Sequence, residues 1–212
     1  MVSYWVKTPR WFRQLFPKGM VWAMPVETVP AVYLTFDDGP HPTATPFVLD
    51  QLEKYNAKAT FFCIGKNVSE NPLIYDRLVG QGHTAANHSY DHKNGWHTAT
   101  RPYLHNILKA AQLIKSHSFR PPYGRIKISQ VNKLLQAKTA WKIYMWDVLS
   151  ADFDMNITPE KCLENVINNI EPGSIVVFHD STKAWDRMSY ALPKVLEYCI
   201  QKNWQLKALP AY

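Results

Sequence analysis

An alternation of two kinds of segment constrains the fold of this chain more than any other feature. Apolar runs rich in Val, Ile, Thr and aromatics recur at Ala31 to Phe36, Ala59 to Ile64, around Phe119, at Ala140 to Trp146 and at Ser174 to Phe178. They read as strands, because consecutive β-branched and aromatic residues suit a sheet buried on both faces. Between them lie segments of helical period: Val48 and Leu52; Leu104, Ile107, Leu108 and Ala111; Cys162, Leu163, Val166 and Ile167; Leu196, Cys199 and Ile200. Strand and helix in alternation predict a parallel sheet covered by helices. With 212 residues the chain is short for eight full strand and helix units, so the expected α/β architecture is an irregular or incomplete parallel (β/α) barrel. Polar clusters follow the strands, and the carboxyl ends of parallel strands would gather them on one face.

Composition narrows the class further. Hydrophobic residues make up 46% and charged residues 19%, which suits a folded core, and no apolar run reaches the length of a membrane span. Cys63, Cys162 and Cys199 are odd in number and lie in apolar stretches, so they read as reduced, packed thiols. The net charge of +7 permits an anionic partner, but an excess of this size reads first as a solvated surface, and no nucleic-acid module accompanies it. Residues 1–28, with Lys7, Arg10, Arg13 and Lys18 among aromatics, are expected to form a basic extension packed on a single domain spanning 29–212. Charges in the first 18 residues and Pro25 argue against a signal peptide, which with the reduced thiols leads to an expected cytoplasmic location.

The polar clusters carry the chemistry. In LTFDDGPHP, Asp37 and Asp38 stand side by side directly behind a strand, where two like charges repel unless a cation is near. In NHSYDH, His88 and His92 are four apart, a spacing that puts both imidazoles on one face of a helical turn. Two imidazoles and a carboxylate make a common three-ligand set for a catalytic divalent ion, with positions left open for water and substrate. Asp38, His88 and His92 are the candidate ligands, and the neighbouring Asp37 is then an ionised proton acceptor. Zinc suits these donors, and cobalt, nickel, manganese or iron would fit them too. In FRPPYG, Arg120 precedes a rigid proline pair and can orient Asp37 through a bidentate contact, while a backbone N–H near Tyr123 can face a developing oxyanion. A stiffened loop with a surface arginine is the competing reading. His179 leaves the end of an apolar strand in IVVFHD, either as an acid or base or as a satisfied structural histidine. The other histidines, His41, His83, His97, His105 and His117, read as surface or hydrogen-bonding residues. Tyr90, Trp96 and Trp185 can stack on sugar rings, but aromatics in loops more often cap a core.

In order, TFDDGP at 35–40, HSYDH at 88–92, RPPYG at 120–124, SADF at 150–153 and VFH at 177–179 resemble the five motifs of the polysaccharide deacetylase, or NodB-homology, family of carbohydrate esterases. The resemblance implies a distorted parallel barrel and metal-dependent hydrolysis of N-acetyl groups on the amino sugars of a chitin-type or peptidoglycan-type glycan. It implies Asp37 as catalytic base, Asp38, His88 and His92 as metal ligands, Arg120 as the residue that steers the base, and His179 as catalytic acid. Asp152 falls where the family pairs an aspartate with that histidine, which raises its pKa. Phe153, Leu149 and Val177 depart from the family's usual tryptophan, aspartate and leucine, so pocket shape and substrate choice are where differences are expected. The same machinery on another amide or ester, such as an imide or acetylated xylan, is an alternative. So is a catalytically silent carbohydrate-binding protein. A ferrous oxygenase would use the same ligand types, but the separate pair Asp37 and His179 suits amide hydrolysis.

Overall fold

The computed structural model describes residues 4–139 and 141–212; the first three residues of the basic extension and Ala140, the expected first residue of a strand, lie outside them. The strands are β1 (Met20–Val21), β2 (Ala31–Asp37), β3 (Thr60–Cys63), β4 (Thr84–Asn87), β5 (Ser118–Phe119), β6 (Lys142–Tyr144), β7 (Val148–Leu149), β8 (Ile175–His179) and β9 (Gln205–Leu206). The helices are α1 (Arg10–Arg13), α2 (Ala44–Lys54), α3 (Gly65–Glu70), α4 (Pro72–Gly80), α5 (Thr100–Ala111), α6 (Ile128–Leu135), α7 (Pro159–Ile167) and α8 (Trp185–Gln201). The sheet runs β1-β6-β5-β4-β3-β2-β8-β7 with every pairing parallel, and β9 adds alongside β2. It curls into an incomplete (β/α) barrel.

Strand β2 shows how the sequence builds both layers. All seven of its residues are buried, which is why it reads as an unbroken apolar run. Val32, Leu34 and Phe36 pack outward against α2, α7 and α8, whereas Ala31 and Tyr33 pack inward with Phe62, Ala86, Tyr144 and Ile175. The two-residue period of a strand then sends Thr35 and Asp37 inward too, and a carboxylate reaches the barrel interior at the strand's carboxyl end. The outer layer is held by Phe36 stacked between Phe61 and Phe178, with centroids 5.0 and 6.0 Å away. Helix α7 begins with Thr158 accepting from the Lys161 N–H at 3.2 Å and Pro159 in its first turn, where a missing N–H costs nothing. Cys63, Cys162 and Cys199 are buried and unpaired in this layer.

The amino-terminal segment ties the sheet's two edges together. Lys7 bridges antiparallel to Val148, the Leu149 N–H donates to Val6 O at 2.8 Å, and the Thr8 N–H donates to Asp147 O at 2.8 Å. Twelve or so residues later the chain joins the other edge through β1. Lys7 Nζ lies 2.9 Å from both Asp147 and Glu171. Burial pushes the Asp147 carboxyl up, and the Lys7 and Arg13 charges work against that rise. Tyr4 donates to Asp154 at 2.8 Å and meets the Phe153 ring edge-on at 5.5 Å. No helix among the described residues is long and apolar enough to cross a membrane.

Candidate active site

Every sequence-derived candidate sits at the carboxyl ends of neighbouring strands. Asp37 ends β2, His88 follows β4, Arg120 follows β5, Asp152 lies just after β7, and His179 ends β8 as the cross-strand partner of Asp37. Five of the seven non-glycine residues at positive φ among the described residues cluster here: Asp38, Ser89, His92, Tyr123 and Ala151. Such backbone persists only where its surroundings hold it, and it marks the rim as a built site.

His88 and His92 converge, but not by the route expected from their spacing. No helix covers 88–92; two left-handed residues, Ser89 at φ 65° and His92 at φ 54°, fold the loop back on itself. Asn87 and Asn106 hold that loop, with Asn87 accepting from the Ser89 N–H at 2.8 Å and Asn106 from the Tyr90 and Asp91 N–H groups at 2.9 and 3.0 Å. The helical-face explanation is therefore replaced by an asparagine-braced turn. Asp38, at φ 84°, completes the group, its carbonyl accepting from Asn67 at 2.7 Å.

Asp38, His88 and His92 each offer one donor atom, all within 4.8 Å of one another, and no other such trio occurs among the described residues. His88 Nδ1 lies 2.8 Å from the Arg120 carbonyl, so it carries the proton and Nε2 keeps its lone pair. That Nε2 is 3.7 Å from Asp38 Oδ1, and His92 Nε2 is 3.2 Å from the same oxygen. Asp38 Oδ1 is buried and met by no hydrogen-bond donor. A buried carboxylate oxygen without a hydrogen-bond donor, facing two imidazole nitrogens, fits a cation. Burial lowers the His88 pKa to about 4, which keeps the imidazole neutral. Burial by itself would raise Asp38, but His92, His179 and His88 outweigh it and hold the carboxyl well below its usual range.

Arg120 is no surface residue. It is fully buried inside the barrel, its guanidinium 4.0 Å above the Phe62 ring. Nη1 donates to Asp37 Oδ1 and Thr35 Oγ1, each at 2.7 Å, and Nη2 donates to Met145 O at 3.0 Å. The contact with Asp37 is thus through one nitrogen, not the bidentate fork expected, because the second arm satisfies the β6 end of the barrel. No donor among the described residues reaches Asp37 Oδ2. Tyr123 is exposed and lies over His92, with ring centroids 4.5 Å apart.

Asp152 grips His179 twice, its Oδ1 2.7 Å from the ring Nδ1 and its Oδ2 accepting the His179 N–H at 2.7 Å. Burial would lower the His179 pKa, but Asp152, aided by Asp38 and Asp37, carries it up to about 10. A cation on Asp38 cancels part of that rise; the Asp152 share stays. Because the native pKa lies above the ordinary 6.5, this pair stabilises the fold fully below that pH and loses its contribution as pH climbs through about 10. Asp152→Asn is expected to pull the alkaline limb of the kcat–pH profile down towards neutrality, and an unmoved limb would refute the coupling.

One residue of the site was not singled out from the sequence. Asp180 is buried, takes the Gly39 N–H at 2.9 Å and the Thr45 hydroxyl, and is pushed up to about 8 chiefly by burial. It fixes the turn that carries Asp38; the only signal was an acid immediately after His179. A Cβ at Gly39 would stand 2.0 Å from Asp180 Oδ2. Gly39→Ala should therefore destabilise the protein by about 1–3 kcal/mol, read in a urea titration, through overpacking and a displaced buried carboxyl.

The profile described as Polysaccharide deacetylase matches residues 26–140, more than half of the chain. The chain belongs to the polysaccharide deacetylase family. Two curated members of the family are similar along much of their length. A peptidoglycan-N-acetylglucosamine deacetylase of Bacillus cereus is 32% identical over 87% of this chain and 88% of its own. A chitooligosaccharide deacetylase of Azorhizobium caulinodans is 32% identical over 71% of this chain and 73% of its own. The crystal structure of the Bc1960 peptidoglycan N-acetylglucosamine deacetylase superposes with a TM-score of 0.85 at 28% identity, covering 96% of this chain and 95% of that one. The polysaccharide deacetylase fold therefore extends over β8, α8 and the amino-terminal segment, beyond the residues the profile matches.

Proposed function

We propose that this chain is a metal-dependent deacetylase that removes N-acetyl groups from the amino sugars of an oligosaccharide or polysaccharide, releasing acetate. The observation that carries the reading is the orphaned Asp38 oxygen facing two imidazoles, with Asp37 and His179 beside it as partners on adjacent strands. The names of the curated relatives, peptidoglycan and chitooligosaccharide deacetylases, support the substrate class.

Asp38, His88 and His92 would hold a divalent cation, zinc by donor type, which when bound polarises the acetamide carbonyl and acidifies a water. Asp37 accepts the proton of the attacking water at Oδ2, while Arg120, itself braced by the Thr35 hydroxyl, keeps Oδ1 occupied and the carboxylate aimed. Tyr123, beside His92, is assigned the developing oxyanion through its backbone N–H. His179 protonates the departing amine from Nε2, since Asp152 occupies Nδ1. Without that proton the amine is a poor leaving group.

The test is direct. Protein supplied with zinc should release acetate and expose a free amine on N-acetylglucosamine oligomers or peptidoglycan fragments; exhaustive chelation should abolish release and added metal restore it. Acetate release that survives chelation would remove the metal from the mechanism, and no acetate from any of these glycans would remove the deacetylase reading itself.

A further inference from the structure

Beyond Tyr123 lies a ledge that the hydrolytic residues do not use. Trp96 is 54% exposed, yet its ring is fixed: the indole N–H donates to Ile126 O at 3.3 Å and the backbone N–H to Asn94 at 3.0 Å. The Arg125 guanidinium lies over that ring, 5.1 Å from its centroid. The two loops are zipped together here, with the Gly95 N–H donating to Arg125 O at 3.1 Å and a Gly95 Cβ that would stand only 2.4 Å from the same oxygen. Trp96 lies four residues after His92 and Arg125 two after Tyr123, so the pairs His92–Tyr123 and Trp96–Arg125 are successive contacts across the same two loops. The ledge therefore starts at the metal ligand set and runs outward.

The stretch of chain that carries the ledge is free of acids. Residues 92–146 contain no Asp or Glu and ten Lys or Arg, whereas the rest of the chain has 14 such cations against 17 acids. Of the ten, only Arg120 has a carboxylate within ion-pair distance among the described residues. Arg125 has none. A guanidinium held over an aromatic ring and paired with no carboxylate has N–H groups to offer one, and an exposed indole offers an apolar face to a pyranose ring.

We propose that Trp96 and Arg125 form a subsite for a carboxylate-bearing sugar ring next to the acetamido sugar, so that the preferred substrate is an anionic glycan and not a neutral one. This rests on the deacetylase reading above. The indole stacks on the ring and Arg125 takes the carboxylate, an ionic contact that salt weakens.

The experiment compares two acetamido-sugar oligomers of equal length: a neutral chitin-type strand, and a peptidoglycan glycan strand freed of peptides, in which alternate rings carry a carboxylate. Acetate release is measured for wild type, Trp96→Ala, Arg125→Ala and Arg125→Lys, and binding is measured by calorimetry in the Asp37→Asn background. Arg125→Ala is expected to lower kcat/KM on the carboxylated strand about tenfold, through KM, with less than about a twofold change on the neutral strand. Arg125→Lys should recover part of the loss, and Trp96→Ala should weaken both strands. Equal effects of Arg125→Ala on the two strands, or none on either, overturn the subsite. A short DNA strand that binds as tightly as the carboxylated glycan, and as dependently on Arg125, also overturns it in favour of a general polyanion surface. If wild type releases no acetate from either strand, the deacetylase reading fails separately, and Arg125-dependent binding of the carboxylated strand still decides the subsite.

Discussion

Replacing Asp37 by asparagine lowers kcat for acetate release by about a thousandfold, the scale of a lost general base, while the protein's metal content stays unchanged. The expectation follows from the division of labour between adjacent carboxylates. Asp38 faces the imidazoles, whereas Asp37 points into the barrel and is held on one oxygen by Arg120 at 2.7 Å. Asparagine fills the same space and still accepts from Arg120, but its amide cannot take a proton from water. Steady-state acetate release combined with elemental analysis separates the roles, because Asp38→Asn should lose metal and turnover together. An Asp37→Asn protein that retains metal and turns over at the wild-type rate would show that the base lies elsewhere.

Removing Arg120 should have the largest effect on stability. Its guanidinium is wholly enclosed, and it satisfies Asp37, Thr35 and the Met145 carbonyl at once. Deleting one partner of a buried ion pair leaves the other charge without compensation, typically at a cost of about 3–5 kcal/mol. For a chain of this size Arg120→Ala then lowers Tm by on the order of 10 °C. The double variant Asp37→Asn, Arg120→Ala should lose less than the two single variants together, since it removes both charges. Calorimetry of the four proteins measures this coupling directly. Simple additivity of the two single losses would mean that Arg120 acts by filling space alone.

Much of this site was legible because strands impose strict geometry. An apolar run ending in Asp37 leaves little choice about where that carboxylate emerges, and the alternation of strands with helices collects successive strand ends on one rim. The polar clusters at 88–92, 120–124 and 177–179 met there for that reason. What escaped was what tertiary packing decides. Arg120 beside two prolines reads as a surface loop, and only contacts with distant strands, the Phe62 ring beneath it and Asp37 and Thr35 beside it, explain its burial. The meeting of His88 and His92 depends on two left-handed residues that neither Ser nor His advertises. Strand β4, Thr84–Asn87, and the two-residue β1, β7 and β9 lack the apolar runs that announced β2, β3, β5, β6 and β8. Asp180 gave no sign of its function, since its partners, Gly39 and Thr45, lie more than a hundred residues earlier.

The three cysteines give the fold an internal clock. Each thiol is sealed, and burial pushes its ionisation upward, so a maleimide or an aromatic disulfide meets an unreactive, inaccessible group in the native molecule. Modification then waits for the structure to open. Since Cys63 lies in a central strand and Cys162 and Cys199 lie in the two packed helices α7 and α8, labelling rates in dilute denaturant would report whether those layers come apart together or in succession.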